Sequence, residues 1–301
     1  MQFQQTLKKN YTFEGKGLHT GQVATMVVMP APVDTGLVFR RVDLEGCPQV
    51  EALAENVSNT ARSTTIAKGQ ASVSTIEHIL SALTGMGVDN AIIDINNVEV
   101  PILDGSAKPY IDAMWADGFE KQDAPRHYIE IKEAIELRND EKGSLVRIEP
   151  ADDFSYDIMV DFNSRVLGVQ HAVWNPSVVY AEEVGVCRTF VFFHEIEFLF
   201  KNGLVKGGDV DNAIVIVEHP VTPEQVENMS TLFNIPALEV RDDGYLSNLV
   251  LRFPNECARH KLLDLIGDLR LAGGFLKAKV TAEKSGHGIN TAAARQIRVN
   301  L

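Results

Sequence analysis

His260 and Asp264 lie four residues apart in Arg259-His260-Lys261-Leu262-Leu263-Asp264, and Leu262, Leu265, Ile266 and Leu269 recur around them at helical spacing. The pattern predicts one helix, from Arg259 to Leu271, with an imidazole and a carboxylate on one face. Residues i and i+4 of a helix project the same way one turn apart, so both groups can reach a single metal ion. Asp268 extends this stripe, which lies roughly opposite the apolar one. A solvated polar face carries the same residue types, so the pair needs partners from elsewhere. Thr75-Ile76-Glu77-His78 sets a carboxylate beside an imidazole at the start of a second helix, and Lys284-Ser285-Gly286-His287-Gly288 presents a histidine between glycines just past a strand.

Cys47, Cys187 and Cys257 are odd in number and scattered, which leaves neither a disulfide framework nor a cysteine zinc knuckle; a metal here must use His and carboxylate. His78, His260 and Asp264 form an N, N, O donor set, which suits a catalytic zinc with an open fourth position better than a closed structural site. Such a zinc lowers the pKa of its water to about 7 and needs a base nearby, for which Glu77 is placed. Amide cleavage also needs an acid for the departing amine; His287 can serve, with Asp268 stabilising its imidazolium. Competing explanations exist: Ser74-x-x-Glu77 also reads as a capping box, and His78 as a hydrogen-bonded core histidine. HExxH, GxxxxGK[ST] and GxSxG are all absent.

The elements that must position these residues recur in two halves. Ser74 to Leu83 reads as a helix followed by Gly85-Met86-Gly87 and the strand Ala91–Ile95; Arg259 to Leu271 is followed by Gly273-Gly274 and a strand from Phe275 to Val280. The parallel suggests a duplicated α/β unit whose halves pack face to face and bring both helices to one cleft. Further apolar runs, at 37–42, 128–131 and 156–162, supply more strands than helices, so the class is α+β. The polar, Pro-containing stretch 120–126 marks the joint, dividing the chain into 1–124 and 125–301. Between Phe190 and Val217 a phenylalanine-rich piece reads equally as a local core or as an apolar wall for a lipid tail.

The 301 residues are 45% hydrophobic, with no run of 18 apolar residues and no charged-then-apolar leader, which predicts a soluble, cytoplasmic globular protein with no membrane span. The formal net charge of -13 argues against a nucleic-acid partner. Two readings of other classes are a non-catalytic binding or assembly module, in which Glu77 only caps, and a phosphotransferase, which needs a phosphate cradle the sequence lacks.

The chain resembles the UDP-3-O-acyl-N-acetylglucosamine deacetylases, zinc amidohydrolases of lipid A synthesis in Gram-negative bacteria. The matching motifs, nearly end to end, are Gly17-Leu18-His19-Thr20-Gly21, Ser74-Thr75-Ile76-Glu77-His78, Pro101-Ile102-Leu103-Asp104-Gly105-Ser106-Ala107, Arg188-Thr189-Phe190, Gly207-Gly208, the His260 segment through Asp268, and Lys284-Ser285-Gly286-His287. The resemblance implies two similar α/β units that sandwich their helices between two sheets, each unit with an insert. It also implies Zn2+ on His78, His260 and Asp264, Glu77 as base, His287 as acid paired with Asp268, and Thr189 as a donor to the oxyanion. Lys261 would meet the nucleotide sugar and Phe162 the uracil, with Leu18, Phe190, Phe192, Ile196, Gly208 and Val210 around the acyl passage in the insert near 190–217. The implied substrate is a UDP-sugar lipid precursor, and some members carry a fused acyl-carrier-protein dehydratase. Val191, where the family commonly has Gly or Ala, and Asp209-Val210 depart from the usual pattern within the passage.

Overall fold

Two sheets repeat one strand order. In the first, the order is Tyr11–Lys16, Val23–Pro30, Ala91–Ile95, Leu37–Arg41, Gln49–Glu51. In the second it is Ile135–Asn139, Ser144–Pro150, Phe275–Glu283, Ser155–Asp161, Val169–Trp174. Each central strand is the last of its set in the chain. Ala91–Ile95 runs antiparallel to Val23–Pro30 and parallel to Leu37–Arg41. Phe275–Glu283 likewise runs antiparallel to Ser144–Pro150 and parallel to Ser155–Asp161, and Tyr128–Glu130 adds a parallel pairing at its start. These details come from a computed structural model that describes residues 2–201, 206–209, 211–233 and 238–300.

Among the described residues the helices are α1 (Glu77–Gly85), α2 (Lys108–Trp115), α3 (Tyr180–Glu183), α4 (Phe193–Lys201), α5 (Pro223–Phe233), α6 (Glu256–Leu269) and α7 (His287–Val299). α6 begins at Glu256, earlier than the Arg259 that its apolar spacing implies, and a 3-10 turn, Arg270–Ala272, prolongs its C-terminal end. The strands alternate as half-buried strands must, with Ala278, Val280 and Ala282 turned inward from the second central strand. Those inward residues join α1, α6 and the inner face of the first sheet in one contiguous core. α6 packs on α1 and on the strands Ser155–Asp161 and Val169–Trp174.

This sandwich changes the reading of α6. Its polar stripe is not solvated: His260, Asp264 and Asp268 are buried along with the leucines, because the stripe faces α1 rather than water. Gly267 shows how close the helices come. A Cβ there would stand 2.1 Å from the Glu77 carbonyl oxygen, so only glycine lets α6 meet the α1 backbone at this level.

Each unit has its insert between the fourth strand and the main helix. In the first it is the antiparallel set Val57–Asn59, Thr65–Lys68 and Ala71–Val73. In the second it holds Phe190–Phe192 paired in parallel with Ile214–Ile216, together with α4 and α5. The insert divides its apolar residues between the two uses open in the sequence. Phe193 and Ile196 join Val215, Val217, Met229 and Leu246 in a core of its own, whereas Phe190 and Phe192 stay half-buried. Ile196, expected at the acyl passage, therefore faces the insert's interior. Val210 lies outside the described residues.

The polar stretch 120–126 is not an open connection. Phe119–Pro125 forms a strand antiparallel to Phe3–Leu7, and the chain reaches the second sheet only after it. Its charged, half-exposed residues suit an edge, which is why the segment reads as a linker. No described helix is long and apolar enough to cross a membrane.

Candidate active site

His78 enters from the first turn of α1, and His260 and Asp264 come from successive turns of α6. Their ligating atoms all lie within 4.8 Å of one another, in a buried position. Asp264 Oδ1 stands 3.5 Å from His260 Nε2 and 3.6 Å from His78 Nε2. A tetrahedral site with metal–ligand distances of about 2.1 Å has edges of about 3.4 Å, so these separations match ligands around an ion. Asp264 Oδ1 is buried with no hydrogen-bond partner, the condition of an acceptor awaiting a cation. Its other oxygen accepts Lys261 Nζ at 2.8 Å.

The tautomer of His260 fits the same purpose. Its Nδ1 lies 3.1 Å from the Cys187 carbonyl, which makes Nδ1–H the donor and leaves the Nε2 lone pair facing Asp264 and His78. Burial lowers the His260 pKa to about 3 against the opposing pull of Asp264, so the ring is neutral at ordinary pH. Burial would by itself raise the Asp264 carboxyl, but Lys261 and His260 hold it well below its ordinary value. Two imidazoles and a carboxylate are a donor set for a divalent cation of zinc type.

Glu77 sits beside this cluster and does not cap its helix. Its Oε2 accepts the Thr64 amide at 3.0 Å, while the Ser74 amide donates to Val98, so the capping box is not formed. Burial is the largest influence on Glu77 and raises its pKa. His287, the first residue of α7, points Nε2 at Glu77 Oε1 across 3.9 Å and bonds Asp268 Oδ2 through Nδ1 at 2.9 Å. Burial alone would lower its pKa; Asp268 and Glu77 overcome this and raise it from 6.5 to about 9. Asp268 is wholly buried and fully engaged, with Thr64 Oγ1 at 2.6 Å on Oδ1 and Asn290 Nδ2 at 3.0 Å on Oδ2. The arrangement thus pairs a carboxylate of raised pKa with an imidazole of raised pKa, either side of a space next to the cation cluster.

A cleft of about 280 Å3 lies beside this cluster, reaching it through His287 and Lys261, and Thr189, Phe190, Phe192, Phe162 and Leu18 also line it. Phe162 and Phe190 meet edge to face at 5.4 Å, and the Phe190 ring also lies 5.5 Å from Lys261 Nζ. Thr189 is positioned through its neighbour: the Arg188 guanidinium and amide are both held by Glu256 at the start of α6, a wholly buried carboxylate. Leu18 reaches the cleft because the insert docks on its loop, with the Gly207 amide donating to the Leu18 carbonyl at 3.0 Å. A side chain at Gly207 would come within 2.1 Å of the Gly17 carbonyl oxygen, so the docking needs glycine. Gly208 is half-buried next to it and does not line the cleft.

Several residues of this site carry no signal of their own in the sequence. Thr64 and Asn290 orient Asp268 and Glu77. The buried Glu99 accepts the His19 and Thr20 amides and the Thr20 and Thr75 hydroxyls, fixing the loop that carries Leu18. His19 also lines the cleft, with a buried Nε2 that has no partner. A larger cavity, about 1080 Å3, lies around Val217, Pro223 and Gly244, away from all these groups.

Comparison with known proteins bears on the same residues. The family model described as UDP-3-O-acyl N-acetylglycosamine deacetylase matches residues 4–231 and 234–298. A Porphyromonas gingivalis protein named bifunctional enzyme LpxC/FabZ is 42% identical over 301 residues, covering 100% of this chain and 65% of its own length. A protein of that name from Chlorobaculum tepidum is 40% identical over 298 residues, or 98% of this chain and 64% of its own. The UDP-3-O-acyl-N-acetylglucosamine deacetylase of Teredinibacter turnerae is 38% identical over 297 residues, covering 98% of this chain and 89% of that protein. The chain thus spans slightly under two thirds of the bifunctional relatives. With the match running through both repeated units and every segment that builds the cleft, the chain belongs to the UDP-3-O-acyl N-acetylglycosamine deacetylase family.

Proposed function

We propose that the chain uses Zn2+ to hydrolyse the N-acetyl group of a UDP-3-O-acyl-N-acetylglucosamine, releasing acetate, the committed step of lipid A synthesis, in the cytoplasm. The observation that carries this is the unpartnered Asp264 Oδ1 facing two imidazole nitrogens beside Glu77 and His287. His78, His260 and Asp264 hold the ion. When bound, it supplies Lewis acidity, polarising the acetamide carbonyl and acidifying a water. Glu77, its pKa raised by burial, takes the proton from the attacking water at Oε1, the oxygen that Thr64 leaves free. His287 holds a proton at Nε2 for the departing amine, and Asp268 keeps that imidazolium oriented through Nδ1. The Thr189 hydroxyl donates to the oxygen on which negative charge grows.

The rest of the substrate follows the lining of the cleft. Lys261 meets the anionic nucleotide sugar, Phe162 lies beside the uracil, and Leu18, Phe190 and Phe192 form the wall for the acyl chain. We take 1–124 and 125–301 as the two domains, so that Glu77 and His78 come from one and the remaining machinery from the other. A dehydratase domain, fused or associated, belongs to this reading through the family resemblance and the bifunctional relatives.

The test is elemental analysis together with deacetylase assay before and after chelation. One zinc per chain is expected, with activity lost on chelation and restored by Zn2+. Full activity in metal-free protein would overturn the reading.

A further inference from the structure

A second cavity, of about 300 Å3, opens at the ends of α1 and α6 remote from the cation cluster. Thr84 and Gly85, the last residues of α1, form part of its wall, about 10 Å along the helix from His78 at 1.5 Å per residue. Its frame is aromatic. Phe154 and Trp174 approach to 4.4 Å between ring centroids, Tyr156 lies 5.4 Å from Trp174, and Phe275 stands among the lining residues.

Two guanidiniums occupy this frame, and a buried carboxylate bonds one of them. Arg126 takes Asp89, through Nε at 2.9 Å and Nη2 at 2.7 Å. Arg270, 5% exposed, donates Nη2 to the carbonyls of Val88 and Asp89, each at 3.1 Å. Both guanidinium carbons lie near the Phe275 ring, at 4.1 and 4.2 Å from its centroid. A ring satisfies the face of a guanidinium but not its N–H edge. Arg270 Nη1 is buried with no hydrogen-bond partner, which costs free energy until an acceptor arrives. Asp89 lies behind the wall, and Asp153, the carboxylate that does line it, is exposed and accepts its neighbour's amide, that of Phe154. Burial pulls the Arg270 pKa down to about 10 despite Asp89, as expected of a cation short of counter-charge.

We propose that this cavity binds a small aromatic carboxylate, with the anion on Arg270 Nη1 and its ring among Phe154, Tyr156 and Trp174. The site is separate from the cleft of the proposed deacetylase and does not depend on that activity.

Titration calorimetry on the full chain with 2-naphthoate and its neutral isostere 2-naphthamide tests the assignment. One naphthoate per chain is expected, bound at least ~10-fold more tightly than the amide, since a charge-assisted bond to guanidinium is about twice as strong as a neutral one. Arg270→Gln should bring acid and amide to equal, weak affinity, and Trp174→Leu should weaken both. Naphthoate binding should persist after chelator treatment. The proposal is overturned if wild type binds neither compound or both equally, if Arg270→Gln binds naphthoate as wild type does, or if chelation abolishes binding. The acid–amide comparison in wild type needs no variant, so it decides the matter even where Arg270→Gln fails to fold.

Discussion

Glu77 is the residue at which structure and chemistry make the sharpest distinction. Since its carboxylate accepts the Thr64 amide, Glu77→Gln keeps an acceptor in place while removing the base. Turnover should fall by roughly two to four orders of magnitude, with zinc content and melting temperature close to wild type. Near-normal turnover in that variant would remove Glu77 from the mechanism. His287 gives a second prediction with a definite sign. Its folded pKa, about 9, stands above the ordinary 6.5, so its interaction with Asp268 and Glu77 stabilises the fold fully below pH 6.5 and is lost as pH rises through 9. Melting temperature followed from pH 6 to 10 should decline over that window in wild type and much less in His287→Gln. On the proposed mechanism the same proton should set the alkaline limb of kcat/KM near pH 9, and a limb unmoved in His287→Gln would mean that another group supplies it. His260 and Asp264 were legible because i and i+4 is a local relation. Thr64 and Asn290 were not, because Thr64 meets Asp268 across 204 residues and Asn290 across 22, and neither leaves a periodic trace. The Ser74-x-x-Glu77 spacing misled for the converse reason: the letters of a capping box are present, but Ser74 is held by Val98 instead.

At the scale of elements, the spacing between α1 and α6 sets the distance from His78 to its two partners. Gly267→Ala would place a methyl group 2.1 Å from the Glu77 carbonyl oxygen. Overpacking of this kind costs about 1–3 kcal/mol, and here the relief is to move the helices apart. A lower melting temperature together with weaker zinc affinity is therefore expected, measured by thermal unfolding and competition with a chromogenic chelator; unchanged affinity would show that the ligands do not depend on this contact. The insert offers a test of the acyl wall. Phe192→Ala should lower kcat/KM for the acylated substrate by ~10-fold or more, in line with the 1–3 kcal/mol that one methylene is worth in an apolar pocket, and leave an unacylated UDP-N-acetylglucosamine little changed. Equal losses for both would take the wall out of substrate recognition. The apolar richness of the insert was plain in the sequence, but its division was not. Phe193 and Ile196 turn inward because a helix starts at Phe193, straight after the strand, and periodicity changes from two to 3.6 at that point.

At the scale of the whole molecule, the duplication was readable from one helix-glycine-strand pattern occurring twice, each copy ending in the central strand of its sheet, but the strand order was not, because it rests on pairings between distant segments. The edge strand Phe119–Pro125 was missed because its pairing with Phe3–Leu7 spans the first unit and its residues are polar. Both units must be docked before the cation cluster exists, as His78 belongs to α1 and His260 and Asp264 to α6. Zinc should then stabilise the docked state by mass action, about 2.7 kcal/mol at a free concentration 100 times its dissociation constant. A melting temperature indifferent to free zinc would contradict that linkage. The buried seam also has a consequence for amide hydrogen exchange. Glu77, the Gly267 contact and the Thr64–Asp268 bond all lie where the units meet, so amides there can open only when the units part. Zinc should slow exchange along α1 and α6 by the full factor of its binding, while edge strands such as Gln49–Glu51 and Ile135–Asn139, which fray without disturbing that seam, should exchange at the same rate with or without the ion.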